Sequence, residues 1–192
     1  MSHRTIRSTS GAVLIPGIGG SGTEHWQTRW QEENPDLARI SPRSWDEPDL
    51  EDWIAALDRA AGDRLPVLVA HSLGCLLAIE GVRRNPACAA GLFLVALPDP
   101  AAPTFPLPES PFSAIDLSGS LPVPTLIVAS DDDDYCGTLR SIEIAHDLGA
   151  GWVSPGALGH INADSGLGRW REGQDLLVAF EAGIGIRRDP RG

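Results

Sequence analysis

Short apolar runs recur along the chain: 12–15 reads AVLI, 67–70 VLVA, 91–96 GLFLVA and 125–129 TLIVA. Each is continuous rather than alternating, the pattern of a strand covered on both faces within a parallel sheet. Leu37 to Ile40 reads as a short edge strand and Gly151 to Val153 as a final short strand. Helical stretches fall between them. One opens at His25-Trp26-Gln27-Thr28-Arg29-Trp30; Asp49 to Leu57 carries acids in its first turn, as the helix macrodipole favours. A buried helix continues from Cys75 and closes at Asn85-Pro86, and Ser141–Leu148 and Gln174–Ala182 read as two more. Strands alternating with helices predict an α/β fold: a three-layer α/β/α sandwich with about six mostly parallel strands. Ligands of such sheets bind beyond the carboxyl ends of the strands.

Bulk properties narrow the class. The 192 residues are expected to form one domain, with polar tails at 1–10 and 185–192 expected to fray. An apolar content of 42% is ordinary for a globular domain, and a net charge of −11 without any basic stripe argues against a nucleic-acid partner. The apolar run after the polar N-terminus is too short for a secretory signal or a membrane span. Cys75, Cys88 and Cys136 lack paired spacing, so reduced thiols and a cytoplasmic location are expected. The expected partner is a small-molecule substrate, with no membrane, and the chain a monomer or small homo-oligomer.

Candidate chemistry concentrates after the strands. Ala70-His71-Ser72-Leu73-Gly74 joins the strand at 67–70 to a buried helix, which is the strand–turn–helix setting of a G-x-S-x-G nucleophile elbow with alanine at its first glycine. Such a turn aims the Leu73 amide at the space before the Ser72 hydroxyl, where an oxyanion could form. Pro16 to Gly22 is a glycine-rich loop without the Lys-Ser/Thr of a P-loop. Its G-x-G-x-x-G spacing (Gly17, Gly19, Gly22) is nominally that of a dinucleotide site, but no acidic ribose binder follows at the required distance. Its better use is a second oxyanion donor, from the amide of Ile18 or next Gly19, with Gly17 and Gly19 lining the substrate site.

Activating a serine takes a base, and His160, in an irregular loop after the last strand, is placed to supply it. His25 could face the site but reads first as a surface or capping residue, His71 should point away from the Ser72 hydroxyl, and Cys75 reads as core packing. Asp131 to Asp134 follow a strand and offer four candidate acids; a solvated acidic turn or a calcium loop is the alternative, though the spacing of a dedicated calcium loop is missing. The Pro-rich stretch 97–120 is long enough to border a site. From it Phe105, Leu107 and Phe112 are expected either to line an acyl pocket or to pack on the sheet.

These residues resemble the YdeN-like group of small lidless serine hydrolases, which includes retinoblastoma-binding protein nine. The resemblance runs through PGIGGSG, HWQTRW, AHSLG, ASDDDDY and GHINADSGLGRWREG, nearly the whole chain. It implies an α/β-hydrolase fold with a Ser-Asp-His triad, no lid domain and no cofactor or metal. Carried over by motif, the nucleophile is Ser72 and the base His160. The acid is Asp133, from the group's S-x-x-D-x-Y pattern, with Asp134 where many relatives have proline. The expected activity is hydrolysis of small carboxylic esters, with amide, peptide or thioester cleavage, or a non-catalytic binding role, as alternatives.

Overall fold

The computed structural model describes residues 11–186. Six strands form one sheet: β1 (Val13–Ile15), β2 (Ala38–Arg39), β3 (Val67–His71), β4 (Gly91–Val95), β5 (Thr125–Val128) and β6 (Gly151–Val153). Their order is β2-β1-β3-β4-β5-β6, and all five pairings are parallel. Five α-helices accompany them: α1 (Trp26–Glu33), α2 (Leu50–Ala61), α3 (Leu73–Arg84), α4 (Thr138–Leu148) and α5 (Arg171–Gly183).

The two-residue periodicity of a strand sorts each apolar run onto two faces. Val13, Ile15, Leu68, Ala70, Leu92, Leu94 and Ile127 meet Trp53 and Leu57 of α2, Leu76 of α3 and Ile144 and Leu148 of α4. Leu14, Val67, Val69, Phe93, Val95 and Val128 meet Trp26 and Trp30 of α1, Trp170, and Leu177 of α5. A run buried on both faces cannot alternate with polar residues, which is why these strands read as continuous apolar stretches. The sandwich is three-layered, as expected.

Helix ends depart from the periodicity for local reasons. Asp49 caps α2, accepting the Asp52 N–H at 2.8 Å, so the helix proper begins at Leu50. Helix α4 starts three residues before its expected position, directly after Gly137. Helix α5 starts at Arg171, because Trp170 takes φ 37° and turns the chain into it. Its polar first turn (Arg171, Glu172, Gln174) carries no apolar signal. Residues 1–10 and 187–192 lie outside the described residues. Ile186, by contrast, is buried against the second core and donates its amide to Glu181 O at 2.8 Å, so the fraying expected from 185 does not include it. No helix among the described residues is long and apolar enough to cross a membrane.

The chain leaves β1 toward β2 on one side and returns to β3 on the other. The reversal therefore opens a crevice beyond the carboxyl ends of β1 and β3, where a doubly wound sheet binds its ligand. The glycine-rich loop and Ser72 both sit there.

Candidate active site

Ser72 joins β3 to α3 with φ 54° and ψ −127°, outside the comfortable regions for a residue with a side chain. Neighbouring backbone over-determines the strain. The Ser72 amide donates to Val95 O of β4 at 3.1 Å. Gly74 passes so close to β1 that a Cβ there would lie 2.4 Å from Ile15 O and 2.6 Å from Pro16 O. Nothing larger than glycine fits. A serine at a helix N-cap normally spends its hydroxyl on the first turn's amides. Here it makes no such bond, and Oγ lies 2.8 Å from His160 Nε2 instead.

His160 Nδ1 lies 2.9 and 3.0 Å from the two carboxylate oxygens of Asp133. A carboxylate only accepts, so Nδ1 carries the hydrogen and Nε2 presents its lone pair to the Ser72 hydroxyl. Asp133 is 6% exposed and receives the Tyr135 N–H at 2.9 Å. The other carboxylates at this edge are committed elsewhere. Asp131 accepts the Ser154 hydroxyl, Asp132 accepts the Ser130 hydroxyl and the Gly159 N–H (each 2.7 Å), and Asp99 pairs with Arg140 at 3.0 Å. Asp134 is exposed, and Thr104 donates to its main-chain carbonyl.

The Asp132 and Ser130 contacts clamp the loop that carries His160. Ser130 Oγ also accepts the Leu158 N–H at 2.8 Å, so two side chains fix the two amides just ahead of the histidine. The Ser130 hydroxyl, then the Gly159 amide, hold the Asp132 carboxyl below the usual range. From the other side His71 Nε2–H donates to His160 O at 2.9 Å. Burial, followed by its neighbours His25 and His160, drives the His71 pKa well down, so the ring stays neutral.

The glycine-rich loop closes the third side. A Cβ on Gly17 would stand 2.9 Å from Ser72 Cβ and 3.3 Å from Oγ, so glycine lets the loop lie against the serine. Ile18 opens a short 3-10 turn, Ile18–Gly20, as Leu73 opens α3. Helix geometry leaves such first amides without intrahelical partners. The Gly19 amide is engaged with Trp45 O at 3.2 Å. Arg39 on β2 holds the loop by donating to Gly20 O at 3.0 Å and Ser21 O at 3.3 Å. Gln27 of α1, fully buried, donates to Ile15 O and Val69 O and accepts the Ser21 hydroxyl, tying loop, β1 and β3 together. Around Ser72 and His160 lies a cavity of about 370 Å³ whose wall includes Ile18, His25, Pro106, Tyr135 and Asn162.

The profile described as "Serine hydrolase" matches residues 12–179. The chain belongs to the serine hydrolase family. Among solved structures, a protein described as a YdeN-like hydrolase from Pectobacterium atrosepticum is 33% identical, with 92% of this chain and 94% of that one covered and a TM-score of 0.81. The ydeN gene product of B. subtilis is 23% identical over 91% and 100% of the two chains, TM-score 0.73. Est1E from Butyrivibrio proteoclasticus, solved with ferulic acid bound, shares the fold at 14% identity, 95% and 93% coverage and TM-score 0.69. No curated protein matches. The YdeN-like resemblance and the α/β-hydrolase fold expected from the motifs are thus both shown.

In this hydrolase, Ser72, Asp133 and His160 come together, Gly17, Ile18 and Gly19 line the cavity around them, and Leu73 follows Ser72 as the first residue of α3. Two expected residues do not take part. Phe105 (5% exposed) and Phe112 (0%) belong to the core beneath α2 and α3, where Phe112 meets Trp53 edge-on at 5.6 Å. The Pro-rich loop folds down and buries its aromatics, so Pro106 alone of that pair's neighbourhood reaches the cavity wall. His25 both caps α1 and forms part of the cavity wall, two of the three readings it had, and it is buried rather than at the surface. His71 does not bond the serine, as expected, yet it too lines the cavity. Cys75 is core: its thiol is buried against Val95 O, and burial raises its pKa far above the usual range. Gln27, Ser130, Asp132, Tyr135 and Asn162 were not foreseen. The only sequence signal for Gln27 was its place in HWQTRW, and that for Ser130 and Asp132 their place beside the acid.

Proposed function

We propose that this serine hydrolase cleaves small carboxylic esters through an acyl-Ser72 intermediate. The observation that carries the reading is the continuous relay Asp133 carboxylate, His160 Nδ1–H, His160 Nε2, Ser72 hydroxyl, with 2.9 and 2.8 Å separations. His160 takes the hydroxyl proton as Ser72 Oγ attacks the carbonyl carbon, and Asp133 steadies the resulting imidazolium and fixes its tautomer. The negative charge that develops on the carbonyl oxygen falls to the Leu73 and Ile18 amides, both free of intrahelical partners. Collapse expels the alcohol with the proton from His160. Water, deprotonated by the same imidazole, then releases the acid.

The strained backbone at Ser72 supports this role, since such conformations gather where function over-determines them. Three free, buried thiols support a reducing, cytoplasmic setting. The test is labelling by a fluorophosphonate probe together with turnover of p-nitrophenyl acetate. Wild type should do both, and Ser72→Ala neither, save for residual acceleration from binding and the oxyanion donors. Equal labelling of wild type and Ser72→Ala would reject the assignment. A matched panel of esters, aminoacyl amides and thioesters then identifies the bond cleaved.

A further inference from the structure

Ile161, directly after the proposed base, takes φ 47°. A left-handed backbone is a marked outlier for a β-branched side chain, and such strain persists only where the surroundings over-determine it. The side chain is fully buried in the second core with Trp26 and Trp170. The turn separates two neighbours: Ile161 enters that core, while His160 reaches Ser72 Oγ at 2.8 Å.

The dihedral angles of Ile161 are the relative orientation of the two peptide planes that flank its Cα. Both planes are held at both edges. In the first, His160 O accepts His71 Nε2–H at 2.9 Å, and the Ile161 N–H donates to Leu158 O at 3.2 Å. In the second, Ile161 O accepts Trp26 Nε1–H at 2.8 Å, and the Asn162 N–H donates to Ser165 Oγ at 3.1 Å. The two N–H contacts are local to the loop. The two carbonyl contacts come from β3 and α1, 89 and 135 residues away along the chain. His71 closes β3 immediately before Ser72, so the strand that presents the nucleophile also grips the main chain of the base. A carbonyl only accepts, so the hydrogen sits on His71 Nε2. We propose that His71 and Trp26 are positioning residues for the base: by fixing the two peptide planes around Ile161, they keep His160 Nε2 within hydrogen-bond reach of the Ser72 hydroxyl. This inference rests on the reading of Ser72 and His160 above.

Two substitutions of His71 separate the donor from the packing. In His71→Gln an amide N–H reaches the place of Nε2; in His71→Phe a ring remains and the donor is gone. Trp26→Phe likewise removes the indole N–H and keeps an aromatic ring. Each purified variant is assayed for p-nitrophenyl acetate turnover, and urea unfolding records whether it is folded. Acylation and deacylation both pass through His160, so a displaced base slows both steps. KM, which their ratio sets, then stays close to the wild-type value. Damage to the pocket would raise KM instead, and damage to packing alone would lower the urea midpoint and leave kcat in place.

In His71→Phe and in Trp26→Phe kcat should fall about 10- to 100-fold, the scale that misplacing a reacting group by about 1 Å produces, with KM within about threefold. His71→Gln should keep kcat within about threefold of wild type. Folded His71→Phe with kcat within about threefold of wild type would overturn the proposal, as would His71→Gln falling as far as His71→Phe, or a rise in KM alone. Failure of His71→Phe to fold would assign the bond to the fold rather than to the base, and overturn it too. Trp26→Phe with wild-type kcat, or unable to fold, would overturn the share of Trp26. Wild type that neither labels with fluorophosphonate nor turns over the ester overturns the parent reading, and this one with it.

Discussion

Replacing Gly17 by alanine tests whether the glycine-rich loop sets the geometry of the nucleophile. Gly17 has φ −87° and ψ −160°, which alanine adopts without strain, so only the methyl matters. It would stand 2.9 Å from Ser72 Cβ and 3.3 Å from both Ser72 Oγ and His71 O. Carbon atoms rest at about 3.5–4.0 Å, so relief takes roughly 0.6 Å or more of movement. Ser72 is held through its amide to Val95 O and through Gly74 against β1, so the loop must give way and carry Ile18 N–H with it. Misplacement near 1 Å costs about 10²-fold in rate, so kcat/KM on p-nitrophenyl acetate should fall about 30- to 100-fold. Overpacking of this size costs about 1–3 kcal/mol, which leaves the protein folded. Initial-rate kinetics with urea midpoints would measure both, beside Gly137→Ala, whose added Cβ meets nothing within 4 Å. Gly17→Ala retaining more than a third of wild-type activity would refute the reasoning.

Other consequences follow from the surrounding network. Gln27→Leu strips three buried hydrogen bonds at about 1 kcal/mol each and should lower stability by about 3 kcal/mol in urea denaturation. Ser130→Ala removes the largest influence on the Asp132 carboxyl, so its pKa should rise toward the ordinary range in a carboxyl NMR titration. A depressed carboxyl adds stability above its unfolded pKa and loses it as pH falls through the folded one, so the variant should show a smaller acid-side loss. His25 has the same linkage sign: its unfolded form binds a proton near pH 6.5 and its folded form only near 4, so stability should decline as pH drops through that window. Urea midpoints between pH 7 and 4 should show the decline, reduced in His25→Asn. Cys75 should resist thiol reagents in the native state, since burial keeps it protonated.

Much of the architecture was legible because both faces of the sheet are covered, which writes each inner strand as an unbroken apolar run. The elbow was legible because strand, serine and small residues must follow one another without spacing. The partners of the serine were harder. Chain order pointed to His160, but the spacing left four aspartates open until the family pattern singled out Asp133, and only the fold shows what occupies the other three. Phe105 and Phe112 were ambiguous in kind: an aromatic in a long loop can equally line a cleft or anchor the loop, and burial in the core decided it. Gln27 and Arg39 were opaque for another reason: their partners lie on other elements, so no local pattern records them.

The four consecutive aspartates are chemically identical and functionally unlike. At 134 the chain uses a main-chain carbonyl, so a mutational scan should find almost any side chain tolerated there. At 131 and 132 an acceptor of the right reach serves, and asparagine should pass. At 133 a full carboxylate faces the imidazole, and asparagine should not. Counting this segment as a single acidic patch, in a scan or in an alignment, would average one position expected to be indispensable with three expected to be replaceable and hide it.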